Sequence, residues 1–326
     1  MDLSPVKLTP AIKDYIWGGR KLIDDFNKKT TLDRAAESWE LSTHPDGQSI
    51  IKGGDFDGKT LTEYISENGS DILGENAEKF DFFPILIKLI DAKENLSIQV
   101  HPEDEYALKH EGEYGKTEMW YIIDCEPDSY LYYGFSKEIS REEFAHRIAD
   151  ETLLEVVRKV PVKKGDVFFI PSGTLHAIGP GILLAEVQQN SNVTYRIYDY
   201  GRLDTDGKPR QLHVEKAVDV TKLIPITESS PIPLPLSCPQ DELLASCPYF
   251  AVIRQQITSP RQYNGDAGSF HALMCVEGQG VLQTVSEPLT IPSGATVFVP
   301  ADSSAFTISG NLTLLDVFVP DPAFFG

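Results

Sequence analysis

The sequence predicts a mainly β protein with two related barrel units, and three features of the chain lead to that prediction. Two stretches, 165–176 (GDVFFIPSGTLH) and 294–305 (GATVFVPADSSA), share a turn glycine, a short apolar strand and a proline turn. Such internal repetition indicates a duplicated architecture. Short apolar runs separated by glycine and proline are typical of β-sandwiches and barrels. A proline-rich stretch, 223–248, lies between the two copies.

Most elements are expected to be strands, with a few helices between them. Strand-like apolar runs lie at 83–90, 119–123, 167–170, 182–188, 193–198, 270–276 and 296–299. Apolar residues at helical spacing predict a helix over 140–160, behind a capping box formed by Ser140 and Glu143. We also expect a helix start at 60–65 and a short helix within 211–220.

The proline-rich stretch marks the expected domain boundary. Its six prolines exclude a continuous helix or a central strand, which predicts an extended linker. We expect a catalytic unit over 1–222 with a short helical segment near 137–160, a linker over 223–248 and a second unit over 249–326. A loop wrapped along the first unit is the alternative that the composition leaves open.

Composition excludes several classes of function. The chain has 326 residues, 41% hydrophobic and 24% charged, enough for two domains that each bury a core. Its formal net charge of −20 argues against a nucleic-acid partner, although converging cations can still bind an anionic small molecule. No apolar run reaches membrane-spanning length and no secretory signal pattern is present, so we expect no membrane partner and a cytoplasmic location. The four cysteines lack CxxC spacing, which predicts reduced thiols.

Four residues have the chemistry and the spacing of a metal site. Alternation along a strand places Gln99 and His101 on one face. Glu118 starts a second strand, and His176 follows the proline turn of the first repeat, where the second repeat has Ala305. An amide, a carboxylate and two imidazoles suit Zn²⁺ with an open coordination position, while Fe²⁺, Mn²⁺, Co²⁺ and Ni²⁺ accept the same ligand types.

These patterns resemble those of a known family. The pattern G-x5-P-x-G-x2-H that ends at His176 is similar to the second signature of the cupin barrel. The set of Gln99, His101 and Glu118 resembles the variant of the first signature found in type I mannose-6-phosphate isomerases. Segments that resemble further landmarks of that family occur in the expected order at 15–19 (YIWGG), 36–40 (AESWE), 96–102 (LSIQVHP), 115–120 (GKTEMW) and 195–201 (YRIYDYG).

The resemblance implies two cupin-type jelly-roll barrels, as in the short bacterial form of the family, and one zinc ion per chain. It implies interconversion of mannose 6-phosphate and fructose 6-phosphate by proton transfer between C1 and C2 through an enediol or enediolate. The implied zinc ligands are Gln99, His101, Glu118 and His176, and the implied contacts to the phosphosugar substrate are Ser97, Lys116 and Arg196. Lys116 and Arg196 are the candidate catalytic cations, because negative charge develops on the sugar oxygens and the phosphate is an anion.

Several alternatives stay open at the level of sequence. A non-catalytic sugar-binding cupin or a cupin oxygenase would use the same barrel, although the intact ligand set and the two cations favour the isomerase. The base is not identified, and Glu186 or a metal-bound water is a further candidate. The three tryptophans suit either a sugar face or the core. The second unit offers only His271 and Glu277 as ligands, so we expect it to be structural. Nothing in the sequence indicates an oligomeric state.

Overall fold

The computed structural model describes residues 3–227, 230–285 and 287–325, and within them strands predominate. The strands are β1 (Val6–Thr9), β2 (Ala11–Lys13), β3 (Glu37–Leu41), β4 (Ile50–Lys52), β5 (Ile85–Ala92), β6 (Ile98–Val100), β7 (Glu118–Cys125), β8 (Tyr130–Phe135), β9 (Val157–Pro161), β10 (Val167–Ile170), β11 (His176–Ile178), β12 (Ile182–Gln189), β13 (Tyr195–Tyr198), β14 (Glu242–Ser246), β15 (Ala251–Ile257), β16 (Arg261–Tyr263), β17 (His271–Gln283), β18 (Leu289–Pro292), β19 (Thr296–Val299) and β20 (Phe306–Phe318). The α-helices are α1 (Lys21–Asp24), α2 (Leu61–Asn68), α3 (Asp104–His110), α4 (Arg141–Ala149) and α5 (Val214–Val220). Short 3-10 helices cover Gly54–Phe56, Ser70–Leu73, Glu75–Ala77, Leu153–Glu155 and Pro322–Phe324. The prediction of a mainly β fold is confirmed.

The strands form three sheets. A five-stranded sheet has the order β13-β6-β11-β8-β9, and a six-stranded sheet has the order β10-β7-β12-β5-β3-β2. A nine-stranded sheet has the order β14-β15-β20-β17-β19-β1-β4, with β16 beside β20 and β18 beside β17. The first two sheets contain the first repeat, and the nine-stranded sheet contains the second.

The six-stranded sheet lies between the other two and is covered on both faces. Every residue of β5 and β12 is buried. Ile87 shares one apolar cluster with Phe298 of the nine-stranded sheet, whereas Ile90 shares another with Ile178 of the five-stranded sheet. Because side chains alternate along a strand, Lys88 points to the same face as Ile90, into the interior of the first barrel.

The beginning of the chain contributes strands to the second repeat's sheet. β1 pairs with β19 in the register Val6 with Phe298, and β4 pairs with β1. Residues 6–9 and 50–52 therefore complete the sheet of the second barrel, although its other strands begin only at Glu242 in the sequence. The division into units at 222 and 249 stays a prediction, and this pairing means that a cut there would separate paired strands.

The helix predictions are largely confirmed. Thr60 caps α2 with a complete capping box to Glu63, and α5 lies within the predicted range 211–220. Ser140 accepts a hydrogen bond from the Glu143 backbone at the start of α4. A helix through residue 160 is wrong, because Val157–Pro161 forms β9 and pairs with β8. The expected linker is also shorter than 223–248, since Glu242–Ser246 forms β14.

Candidate metal centre and active site

Three strands bring the expected metal ligands together. β6 carries Gln99, and His101 follows directly after its last residue. Glu118 is the first residue of β7 and His176 the first residue of β11. β11 pairs with β6 so that His176 lies opposite Gln99, while β10 connects the edge of the six-stranded sheet to the proline turn before β11. The cluster therefore bridges the two sheets of the first barrel.

The donor atoms of this cluster converge on one point. One donor atom each from His101, Glu118 and His176 lies within 4.8 Å of the others, and all three residues are buried. Nε2 of His176 is 3.3 Å from Oε1 of Glu118, and Nε2 of His101 is 3.7 Å from Oε2 of the same carboxylate. The amide nitrogen of Gln99 is 3.4 Å from Nε2 of His176.

Backbone carbonyls fix the tautomers of both imidazoles. Nδ1 of His101 lies 2.9 Å from the carbonyl oxygen of Val193, and Nδ1 of His176 lies 2.9 Å from that of Thr174. A carbonyl only accepts, so each Nδ1 carries the proton and each neutral ring turns its Nε2 lone pair toward Glu118. Metal-ligating histidines in proteins are oriented in the same way by such hydrogen bonds.

The cluster contains buried acceptors that lack a donor. Among the described residues, Nε2 of His101 and Oε1 of Glu118 are buried and have no hydrogen-bond partner, while Oε2 of Glu118 lies 3.0 Å from the ammonium of Lys116. Leaving such atoms unsatisfied costs about 1–3 kcal/mol each. A cation at the point where they converge would satisfy all of them, so the residues fit a divalent metal of nitrogen and oxygen preference.

Burial keeps the two imidazoles neutral. It lowers the pKa of His176 to about 4, and burial together with Lys116 and His176 holds the pKa of His101 well below its usual value. Burial also raises the pKa of Glu118, against the opposing effect of Lys116. Neutral imidazoles are the form that binds metal.

A cavity of about 250 Å³ opens beside the cluster. Ser97, Gln99, Lys116 and Arg196 all line it, so the structure brings the sequence-predicted substrate contacts to one place. Nζ of Lys116 lies 3.0 Å from Oε2 of Glu118 and 3.9 Å from Oε1 of Glu186. The lysine is almost fully buried, and its ammonium lies between this cluster and the cavity.

Arg196 faces the cavity with part of its guanidinium unpaired. Nη1 donates to the carbonyl oxygen of Gln211 at 2.9 Å, while Nε is buried and unpartnered within the described residues. A salt bridge to Asp199 or Glu186 would have made it structural, but Asp199 instead pairs with Arg202 and Arg210. Burial and the neighbouring Arg210 lower the pKa of Arg196, which is consistent with a cation that lacks an anionic partner.

Comparison with known proteins identifies the family. Residues 6–130 match the family described as phosphomannose isomerase type I, catalytic domain, and residues 241–319 match the mannose-6-phosphate isomerase cupin domain. The chain is 38% identical to mannose-6-phosphate isomerase ManA of Bacillus subtilis (strain 168) over 95% of this chain and 97% of that protein. It is 35% identical to the mannose-6-phosphate isomerase of Streptococcus mutans over 95% of this chain and 97% of that protein. A crystal structure of the Bacillus subtilis mannose 6-phosphate isomerase superposes with a TM-score of 0.88 at 37% identity, covering 96% of this chain and 99% of that chain.

The chain belongs to the type I mannose-6-phosphate isomerase family. The sequence-based predictions of this family, of its cupin-type fold and of an isomerase rather than an oxygenase or a binding protein are confirmed. The match extends over both barrels, so the second repeat is a regular part of the family architecture.

Several cavity residues of this family member were not singled out from the sequence. Lys88, Glu37 and Arg210 line the same cavity as Lys116. Nζ of Lys88 lies 3.2 Å from Oε1 of Glu186 and 3.7 Å from Oε2 of Glu37. Burial disfavours its charge, but Glu37 and Glu186 raise the pKa of Lys88 above its usual value, so it remains an ammonium. The sequence signal for Lys88 is its position among the apolar residues of β5, where a lysine is rare unless it has a partner.

The three tryptophans divide between cavity and core. Trp17 lines the cavity, and Trp39 and Trp120 are fully buried. The two buried indoles each donate to a cavity carboxylate, Trp39 to Glu37 at 2.7 Å and Trp120 to Glu186 at 2.9 Å. Trp39 and Trp120 therefore act on the cavity through the acids they hold.

The remaining sequence predictions concern thiols and membranes. The four cysteines have free thiols in the structure. Within the described ranges, no helix combines the length and the apolar character needed to cross a bilayer.

Proposed function

We propose that this chain interconverts mannose 6-phosphate and fructose 6-phosphate in the cavity beside the Gln99–His101–Glu118–His176 cluster. The observation that carries the proposal is that Nε2 of His101 and Oε1 of Glu118 are buried without a donor among the described residues, next to a cavity lined by four cations. The acceptors require a cation, and the cavity cations suit an anionic sugar. A phosphosugar is therefore the substrate class that the site fits.

The proposed metal is one zinc ion per chain. Gln99, His101, Glu118 and His176 would hold it, with the Gln99 amide turned so that its oxygen faces the cluster. When bound, zinc stabilises negative charge on the sugar oxygens next to the reacting carbons. Two imidazoles with one carboxylate and one amide oxygen are borderline ligands, which favours zinc over Mg²⁺ or Ca²⁺.

Lys116 is the proposed proton carrier. In the open-chain sugar, isomerisation removes the proton on C2 of mannose 6-phosphate and returns one to C1. The C2 hydroxyl loses its proton and becomes the carbonyl of fructose 6-phosphate, while the C1 carbonyl oxygen gains a proton and becomes a hydroxyl. The group that carries the proton has to reach both neighbouring carbons, and Lys116 lies between the ligand Glu118 and the cavity. Glu186 is held as a carboxylate, since Lys116 and Lys88 lower its pKa against the effect of burial.

Arg196 is the proposed binder of an anionic oxygen of the substrate. Its partly unpaired guanidinium lines the cavity, and a guanidinium binds enediolate and phosphate oxygens in the same geometry. Ser97 supplies a neutral hydroxyl to the same wall. The cytoplasmic location and the absence of nucleic-acid and membrane partners stay predictions from composition.

The test is turnover of mannose 6-phosphate, with coupled detection of fructose 6-phosphate, by as-purified, chelator-stripped and zinc-restored protein. We expect activity to disappear with the metal and to return with zinc, and metal analysis to give one zinc per chain. His176→Ala should lose both zinc and activity, whereas His146→Ala, on the exposed side of α4, should keep both. Full turnover by the stripped protein would refute the metal assignment, and bound zinc without turnover would favour a sugar-binding cupin.

A further inference from the structure

The second barrel contains a polar cavity of its own, of about 400 Å³. It is lined by charged and aromatic side chains, among them Arg261, Tyr263, Asp266, His271 and Asp316. This cavity lies in the unit whose repeat has Ala305 where the first has His176. A pocket with several converging polar groups is the ordinary form of a small-molecule site.

Strand register places His271 at the counterpart of a metal ligand. In the first repeat Ile170, the residue before the proline turn, pairs with Glu118. In the second repeat Val299 holds the same place before Pro300 and pairs with His271. His271 therefore occupies the position in the second barrel that Glu118 occupies in the first.

The same register relates a second pair of residues. Glu186 on β12 pairs with Trp120, two residues after Glu118. Asp316 on β20 pairs with Leu273, two residues after His271. Asp316 is therefore the counterpart of Glu186, and the second cavity occupies the place of the first barrel's active site.

The positive charge at the centre of the second cavity belongs to the imidazolium of His271. Nδ1 of His271 lies 2.7 Å from Oδ1 of Asp316, and Nε2 lies 3.4 Å from Oδ2 of Asp266. Both ring nitrogens face carboxylates, so both carry protons. Burial opposes this charge, but the two aspartates raise the pKa of His271 to about 10. The cation that organises this cavity is thus part of the chain.

The walls of the cavity are rigid and nearly balanced in charge. Tyr263 stacks on Phe306 with ring planes 3° apart and donates its hydroxyl proton to Gln255 at 2.8 Å. Gln255 in turn donates to Asp316 at 3.2 Å. Arg261 is neutralised by two hydrogen bonds of 2.7 Å to Asp241.

This charge balance selects the ligand class. The charged groups in and beside the cavity sum to one net negative charge, from the carboxylates of Asp241, Asp266 and Asp316 against the cations of Arg261 and His271. This net charge disfavours binding of a phosphate dianion. Oriented donors and acceptors beside an aromatic surface suit hydroxyl groups on an apolar ring.

We propose that this cavity is a second, metal-independent binding site for a neutral polyhydroxylated molecule of hexose size. The site accepts free sugars and excludes phosphosugars, so it is separate in place and in selectivity from the cavity of the first barrel. Glu277, the other polar residue expected there from the sequence, is exposed and pairs with Lys164 at 2.9 Å.

The experiment is calorimetric titration of the full chain with D-mannose and D-fructose, with the first cavity occupied by excess mannose 6-phosphate. We expect one hexose site per chain, and we expect Ser237→Trp, an exposed residue at the cavity wall, to weaken it at least tenfold. Thr290→Trp, exposed on β18, is the matched control and should bind as the unmodified chain does. Tyr263→Phe should weaken binding without moving isomerase activity.

Two outcomes would overturn the proposal. One is the absence of any hexose binding by the unmodified chain, and the other is equal binding by Ser237→Trp and Thr290→Trp. Isomerase activity measured on the same preparations separates this result from a failure of the proposed function, because neither substitution contacts the first cavity.

Discussion

The indole N–H of Trp120 donates to Oε2 of Glu186 at 2.9 Å across neighbouring strands of the buried sheet. Both residues are almost fully buried, and the other oxygen of Glu186 faces Lys88 at 3.2 Å. Lys116 and Lys88 lower the pKa of Glu186 against the effect of burial, and the hydrogen bond from Trp120 acts in the same direction. Trp120 therefore helps to keep charged an acid that lines the cavity.

Removing this donor tests whether the held carboxylate matters for catalysis. Trp120→Phe should lower kcat about tenfold and cost about 1–3 kcal/mol of folding stability, because Glu186 loses a buried partner. Steady-state kinetics and thermal unfolding measure the two effects. Ser246→Ala, which removes a buried hydroxyl donor in the second barrel, should lower stability alone. An unchanged kcat in Trp120→Phe would show that Trp120 contributes to packing and not to catalysis.

Lys116 is the residue on which the proposed proton transfer depends. Lys116→Met keeps the length of the side chain and removes the ammonium 3.0 Å from Glu118. We expect kcat to fall by about 10²–10⁴, the usual contribution of a positioned acid or base, while zinc content stays at one per chain. Lys109→Met, exposed on α3, is the control. If Lys116→Met keeps the kcat of the unmodified chain, a group other than Lys116 carries the proton.

Glu113 positions a loop that holds His101, one of the proposed metal ligands. Its Oε2 accepts from the backbone N–H of Asn192 at 2.9 Å and from the hydroxyl of Ser191 at 3.3 Å. The next residue, Val193, provides the carbonyl that accepts from His101. The carboxylate therefore fixes the loop that sets the imidazole tautomer.

Loss of this carboxylate should weaken metal binding without touching a ligand. Glu113→Ala should lower zinc affinity by about 10- to 100-fold, and Glu113→Gln should restore part of it because one acceptor oxygen remains. Competition with a fluorescent chelator measures the affinity. Glu105→Ala, exposed on α3, controls for the loss of one negative charge. Equal affinity in all three variants would show that the loop holds His101 without Glu113.

The parts of the site that the sequence predicted were those with local signals. Gln99 and His101 are two residues apart at the end of β6, and His176 follows a repeated turn, so spacing and residue chemistry together indicated them. The location of Lys88 in the cavity follows from the burial of β5 on both faces. That burial depends on packing against the two other sheets, which local sequence does not show. Arg210 lies in an irregular segment, and a tertiary contact with Asp199 orients it.

The pairing of strands that are far apart in sequence could not be predicted from local sequence patterns either. Val6 pairs with Phe298, nearly the whole chain away. Phe298 lies in the second repeat, but nothing in the sequence indicates that Val6 is its partner. The apolar spacing of 153–157 fits both a helix and a strand, and the pairing of β9 with β8 decides in favour of a strand for Val157–Pro161. Tertiary packing, which a single sequence does not display, settles such cases.

The charged state of His271 makes the stability of the second barrel depend on pH. In the folded chain Asp316 and Asp266 keep the proton on the imidazole up to a pH of about 10, whereas in the unfolded chain it leaves near the ordinary pKa of 6.5. The stabilisation is therefore fully present below pH 6.5 and is lost as the pH rises toward 10, by an amount of the order of a few kcal/mol. We expect the difference in melting temperature between the unmodified chain and His271→Asn to shrink over that interval. His146→Asn, exposed on α4, should show no such trend, and a constant difference for His271→Asn would mean that the imidazole is neutral in the folded chain.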